Sequence, residues 1–189
     1  MPAEIAETAD AALAGGVARG DLAAFEMLVR RYSGRVFGLA FRVLHDRAEA
    51  EDVTQEVFAT AWRRLDSLTE PAAVRTWLFR VAHRQCLGVL RRKRTDPVGE
   101  LPDWGATPIG VGPVARDPSA VAETVATVAA LRQALRRLPE PQRAAWLLAE
   151  VDGLSYAQIA LVVGASEESV RGRLARARVR LAEVMKVWR

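Results

Sequence analysis

Arginine is the residue whose placement in this chain could do chemistry, and that chemistry is recognition of a polyanion. It recurs as Arg171, Arg173, Arg176, Arg178 and Arg180, and from Ser166 onward seven Lys or Arg stand against three acids. A guanidinium neutralises phosphate and can donate two hydrogen bonds to guanine O6 and N7 in the major groove. A second basic series, Arg75, Arg80, Arg84, Arg91, Arg92 and Arg94, runs through the middle of the chain and closes in Arg91-Arg92-Lys93-Arg94. Such a series can track the phosphates of a single strand, or simply be a charged helix end that suits the helix dipole; the residues alone leave both open. Bond-breaking chemistry lacks its parts. No nucleophile stands with a base, no glycine loop is built to cradle phosphate, and the lone Cys86 with His45 and His83 offers no zinc-ligand spacing. The expectation is a protein without catalysis, metal or cofactor.

The elements that must position the C-terminal arginines are two helices around a glycine. Ser155 is placed to cap the first, and Gln158 three residues later completes a capping box. Ile159, Ala160 and Val163 form its inner side, and Gly164 ends it as a residue free to take positive φ. Ser166 caps a longer helix with Val170, Leu174 and Leu181 inward and the arginines over the other faces. Glu167 and Glu168 oppose phosphate but suit the dipole at its start. The pattern is a helix-turn-helix.

Around it the chain is ordinary for a soluble protein: 189 residues, half hydrophobic, a quarter charged, net charge +4, with a pI near 9.9. Glu4, Glu7 and Asp10 stand where a signal peptide would be basic, and no apolar run approaches a membrane span. A cytoplasmic protein with no membrane insertion is expected. Residues 1–9 read as frayed, and Asp10 to Arg19 as a weak helix interrupted by Gly15 and Gly16. Asp21 caps a long helix with Phe25, Leu28, Val29, Tyr32, Val36, Leu39, Ala40 and Val43 inward. Asp46 caps the next, with Ala50, Val53, Val57, Phe58, Ala61 and Leu65 inward and Asp52, Gln55, Glu56 and Arg63 in one polar strip. A loop from Asp66 to Val74 precedes a helix from Arg75 to about Arg94. Between Thr95 and Ser119 five prolines and four glycines erase any hydrophobic period, which reads as a linker. Some two dozen extended residues span on the order of 80 Å, comparable with two duplex turns of about 34 Å each. Beyond it, Val121, Val125, Val128, Leu131, Leu135 and Leu138 make one helix, and Ala145, Leu147, Leu148 and Val151 another. No strand pattern occurs. The fold class is all-α: two small helical bundles joined by a flexible Pro/Gly-rich linker, the second containing the helix-turn-helix.

Several stretches together carry a family. Gly20-Asp21 to Tyr32, Ala50-Glu51-Asp52-Val53-Thr54-Gln55-Glu56-Val57-Phe58 with Ala61-Trp62, Thr76-Trp77-Leu78 with Val81-Ala82, Leu138-Pro139 to Arg143, and Gly153 to Ala160 occur in order and cover nearly all but the start and the linker. In these the chain resembles the bacterial extracytoplasmic-function (ECF) sigma factors. The resemblance implies an N-terminal segment over 1–19, a region 2-like domain over 20–95 for core binding and the −10 element, a linker over 96–118, and a region 4-like domain over 119–189 for the −35 element. It implies binding to RNA polymerase core (the β′ clamp helices and β) and to promoter DNA, under control of a separate anti-sigma factor.

By the same resemblance, Asp52, Gln55, Glu56, Trp62 and Arg63 correspond to the surface that docks on the β′ clamp helices. The loop from Asp66 to Val74 matches the place where a flipped −10 base is captured, with Arg75, Arg80, Arg84, Arg91, Arg92 and Arg94 holding the exposed strand. Ser169, Arg171, Arg173, Arg176 and Arg178 would meet the −35 element, Arg171 and Arg176 as base contacts. The chain departs from the family's pattern at Arg84 and Gly88, where asparagine and aspartate are usual, and at Glu168-Ser169 and Gly172 in the recognition helix. A conventional helix-turn-helix regulator acting without polymerase is the alternative; it explains the C-terminal hairpin and leaves the strip around Asp52 without a role.

Overall fold

The structure is a computed structural model that describes residues 2–95 and 118–185, with side chains placed for 9–93, 95 and 128–184. Residues 96–117 of the expected linker lie outside the described residues, and Pro118, its expected last residue, opens a helix. The described part is helical with no strand: α1 (Pro2–Ala18), α2 (Leu22–Leu44), α3 (Arg47–Arg64), α4 (Val74–Thr95), α5 (Pro118–Arg137), α6 (Glu140–Trp146), α7 (Tyr156–Val163) and α8 (Glu167–Met185). Short 3-10 turns at Leu65–Ser67 and Pro71–Ala73 lead from α3 to α4, and a π segment at Leu147–Val151 continues α6.

Local chemistry sets most of these boundaries. Asp21 accepts from the N–H of Ala23 at 2.9 Å and of Ala24 at 3.2 Å, and Asp46 accepts from Glu49 at 3.2 Å, so both carboxylates satisfy first-turn donors and the positive end of a helix dipole. His45 takes the left-handed conformation, φ 56°, at the end of α2. Ser155 and Gln158 exchange both bonds of the capping box, Gly164 ends α7 at φ 64°, and Ser166 accepts from Ser169 at 3.2 Å.

The stripes expected to face inward do so along α2, α3 and α4, where Leu28, Tyr32, Val36, Leu39, Val53, Val57, Leu78, Ala82 and Cys86 are buried, while Phe25 and Val29, expected with them, are half-buried. Three other expectations change. The N-terminal helix runs from Pro2 through Gly15 and Gly16 without interruption. A Cβ on Gly16 would lie 2.7 Å from Cβ of Ala24, so this glycine lets α1 lie close on α2. Asp10 is buried, taking a hydrogen bond from the Tyr32 hydroxyl and an ion pair from Arg31 at 3.0 Å, which ties α1 down. In α7, Val162 is buried while Val163 is half-buried. Val151, expected inside, is 45% exposed, because the wider π turn shifts the register after Leu148.

The two helical groups, α1–α4 and α5–α8, pack on each other. α4 lies along α7, and α2 touches α6. The polar contacts of this seam are long-range in sequence: His83 Nε2 sits 3.0 Å from Glu140 Oε1, Arg143 Nη2 donates to the carbonyl of Val43 at 3.1 Å, and Arg35 and Arg75 both donate to the carbonyl of Asp152.

Candidate nucleic-acid and protein interfaces

α8 is held by Val170, Leu174, Ala177 and Leu181, all buried; the three- and four-residue steps put them on one side and leave the rest to solvent. Arg171 and Arg176 are exposed and border a shallow surface with Ser166, Ser169, Gly172 and Ala175. Neither forms an ion pair among the described residues. Arg178 is committed elsewhere: its Nη2 and Nε lie 2.7 and 3.1 Å from Glu150 Oε1. Arg173 is half-buried, and Arg180 donates to Gln142 Oε1 at 3.2 Å. The basic helix therefore has a free pair, Arg171 and Arg176, and two arginines tied to their own domain, Arg178 and Arg180.

The second basic series divides in the same way. Arg80, Arg84, Arg91 and Arg92 are exposed on α4, and the spacing of Arg80, Arg84 and Arg91 keeps those three on one side of it. Lys93 is pinned by Asp46 at 2.8 Å and by Glu49 at 3.6 Å, which fixes where the cluster emerges. Arg94 has its side chain outside the described set. Arg75 is half-buried and turned into the seam, where burial depresses its pKa. Arg80 borders a cleft with Ala157, Leu161 and Gly164 of the helix-turn-helix.

Asp52, Gln55, Glu56, Trp62 and Arg63 all lie exposed on α3. Arg63 Nη2 pairs with Glu56 Oε1 at 2.8 Å, so the strip presents acid and base already organised against each other. Trp62 is 44% exposed and its ring centroid lies 5.0 Å from that of Phe25 on α2, tilted by 60°. The two rings, with Val29, Gln55 and Phe58, border an apolar groove between α2 and α3. Leu22 and Met27 add exposed apolar surface on α2. Phe25, expected in the core, borders this groove instead, and the only sequence signal of Leu22 and Met27 is that they are apolar side chains off the buried stripe of α2.

Two groups with titratable chemistry lie away from these faces. Burial pushes the Cys86 thiol up to about 12, leaving it protonated and inert. His45 is pushed down to about 4 by burial and then by Arg143 and Arg136, so it is neutral at physiological pH. No helix among the described residues is long and apolar enough to cross a membrane.

An all-α chain with an arginine-bearing helix-turn-helix and a separate exposed aromatic groove defines a DNA-binding protein equipped to meet a second macromolecule. Residues 28–95 match Sigma-70 region 2, and residues 129–181 match Sigma-70 region 4. The chain is 37% identical over 179 residues, 95% of its length and 86% of the relative's, to the ECF RNA polymerase sigma factor SigM of Mycobacterium tuberculosis. It is 35% identical to the RNA polymerase sigma-H factor of Pseudomonas aeruginosa, covering 89% of this chain and 90% of that one. With the ECF RNA polymerase sigma-E factor of Escherichia coli K12 the identity is again 35%, with the same two shares covered. Among solved structures it resembles CnrH in complex with the cytosolic domain of CnrY, with a TM-score of 0.67, 27% identity, and coverage of 95% of this chain and 98% of that chain. The fold is shared with the sigma factor RpoE of Bartonella quintana, solved with the anti-sigma factor NepR, at a TM-score of 0.70 and 24% identity, covering 87% of this chain and 98% of that one. The chain belongs to the ECF sigma factors of the sigma-70 family.

Proposed function

We propose that this chain binds RNA polymerase core through the α2–α3 groove and its polar strip, and carries the polymerase to a promoter that it helps to open. The observation that carries this reading is the exposed Trp62–Phe25 groove beside the Glu56–Arg63 pair, on the opposite end of the chain from the free arginines of α8. Apolar aromatic surface supplies affinity at an interface, and organised charges around it supply partner choice. In this reading Asp52, Gln55, Glu56, Trp62 and Arg63 meet the β′ clamp helices, with further contact to β. Arg75, Arg80, Arg84, Arg91, Arg92 and Arg94 hold the opened −10 strand. Arg171 and Arg176 read the −35 bases from the major groove, with Ser169 and Arg173 beside them. Arg178, tied to Glu150, acts by fixing α8 in its domain.

The working units are 20–95 and 119–189, tethered by 96–118, with 1–19 as an N-terminal segment. The protein acts in the cytoplasm and contributes no catalysis of its own; bond formation belongs to the polymerase. The fold neighbour RpoE, solved with the anti-sigma factor NepR, supports a separate anti-sigma factor as the restraining partner. The test is transcription from candidate promoter DNA by sigma-free core, with and without the protein, beside its binding to the same DNA alone. A start-site-specific transcript that needs both components supports the reading. Tight sequence-specific binding without core, and no transcript with it, would place the protein with stand-alone helix-turn-helix regulators.

A further inference from the structure

The π segment ends at Asp152, and the chain turns away at Gly153, φ +64°. A carbonyl at a helix C-terminus has no partner within its helix and sits at the negative end of the dipole. Here that carbonyl is satisfied from the other helical group: Arg35 Nη2 of α2 donates to it at 2.9 Å, and Arg75 Nη2 of α4 donates to it as well. Arg35 Nε also lies 3.6 Å from the Asp152 carboxylate, which is 3% exposed. One residue of the C-terminal group thus receives two guanidinium groups of the N-terminal group, on an acceptor that α6 and its π extension leave over.

The same seam is incompletely satisfied. Asp152 Oδ2 and Arg75 Nε are buried with no hydrogen-bond partner among the described residues. Buried charge that is only partly compensated carries a desolvation cost, so the contact has the character of one that forms and opens rather than of a permanent core. Arg75 is also the first arginine of α4, turned into the seam, and Arg80, the next arginine along that helix, borders the cleft against Leu161 and Gly164.

We propose that Asp152, clasped by Arg35 and Arg75, is a reversible latch that holds the two helical groups closed, and that a strand phosphate competes with the Asp152 carbonyl for the Arg75 guanidinium. Closure and capture of the opened strand are then mutually exclusive at one side chain. Both acceptors are oxygens that prefer a charged donor, and phosphate offers Arg75 a full negative charge in exchange for a carbonyl dipole. The competition rests on the assignment of Arg75 to strand binding made above; the latch itself rests on the seam alone.

Small-angle X-ray scattering of the full chain, with binding of a short single-stranded oligonucleotide, tests both parts. Arg35 is half-exposed on α2 and stands outside the faces assigned to polymerase and DNA. Arg35→Ala removes one charge-assisted donor, so the closed-to-open ratio falls by about tenfold or more, the maximum dimension increases, and oligonucleotide affinity rises. Asp152→Arg, which sets a third cation against the other two, gives the same opening from the opposite side of the seam. Arg75→Ala opens the protein equally but lowers oligonucleotide affinity. Wild-type dimensions in both Arg35→Ala and Asp152→Arg, with cooperative melting retained, would overturn the latch. Opening without a gain in oligonucleotide affinity would overturn the competition. Neither result depends on whether the protein supports transcription, so failure of the sigma-factor reading would be seen separately.

Discussion

Phe25 and Trp62 stand 5.0 Å apart on neighbouring helices with their rings tilted by 60°, and Trp62 keeps 44% of its surface in solvent. Tilted aromatic pairs hold their geometry through the quadrupole of each ring. The pair therefore offers a partner a preformed, apolar anchor that need not be ordered on binding. Trp62→Ala is expected to weaken core binding by about 2 kcal/mol or more, as truncation of a central interface tryptophan does. Fluorescence anisotropy against purified core checks this, and an unchanged affinity would remove the groove from the polymerase interface.

Gly16 yields a stability prediction. With a Cβ only 2.7 Å from that of Ala24, any side chain there forces α1 away from α2, and overpacking costs about 1–3 kcal/mol. Gly16→Val should lower the melting temperature. It should also loosen the Asp10–Tyr32 contact, visible as faster hydrogen exchange in α1.

Gly88 predicts the opposite sign. It lies inside α4, and a Cβ there would meet nothing within 4 Å. Gly88→Ala gains helix propensity without a clash, so it should stabilise the protein by about 1 kcal/mol, read from denaturant midpoints. A loss of stability would mean that α4 bends or pairs at this position in a way that the packing does not show.

The seam predicts a pH dependence. Burial raises Asp152 to about 6 from its ordinary 3.8, and Arg35, Arg42 and Arg75 draw it back only in part. A raised acid binds its proton more tightly in the closed form, so its favourable contribution is fully present below pH 3.8 and is lost as pH rises through about 6. Between pH 7.5 and 5.5 closure should therefore strengthen, and Asp152→Asn should flatten this part of the profile. Scattering at the two pH values decides it; equal slopes in wild type and Asp152→Asn would exclude Asp152 as the titrating group.

Most helix boundaries were legible in the sequence because their causes are local. Asp21, Asp46, Ser155 with Gln158, Gly164 and Ser166 act within three or four residues, and the buried stripes of α2, α3 and α4 follow from periodicity alone. Gly16 was misread because a glycine in sequence announces only conformational freedom, whereas its use here is the close approach of a second helix. The seam was not legible. Its acceptor is a main-chain carbonyl exposed by a π turn, and its donors lie 117 and 77 positions away at Arg35 and Arg75. Among the arginines, sequence could place Arg171, Arg176 and Arg178 on one helix, but only the position of Glu150 shows that Arg178 is already occupied.

Polymerase binding and promoter reading on separate faces should be separable by mutation, and paired affinities decide whether they are. Core affinity, and the affinity of the assembled holoenzyme for promoter DNA, would be measured for Asp52→Arg and Gln55→Ala against Arg171→Ala and Arg176→Ala. The first pair should lose core binding. Each of the second pair should lose about 1–3 kcal/mol in promoter recognition with core affinity unchanged. Defects of both pairs in the same step would contradict the separation.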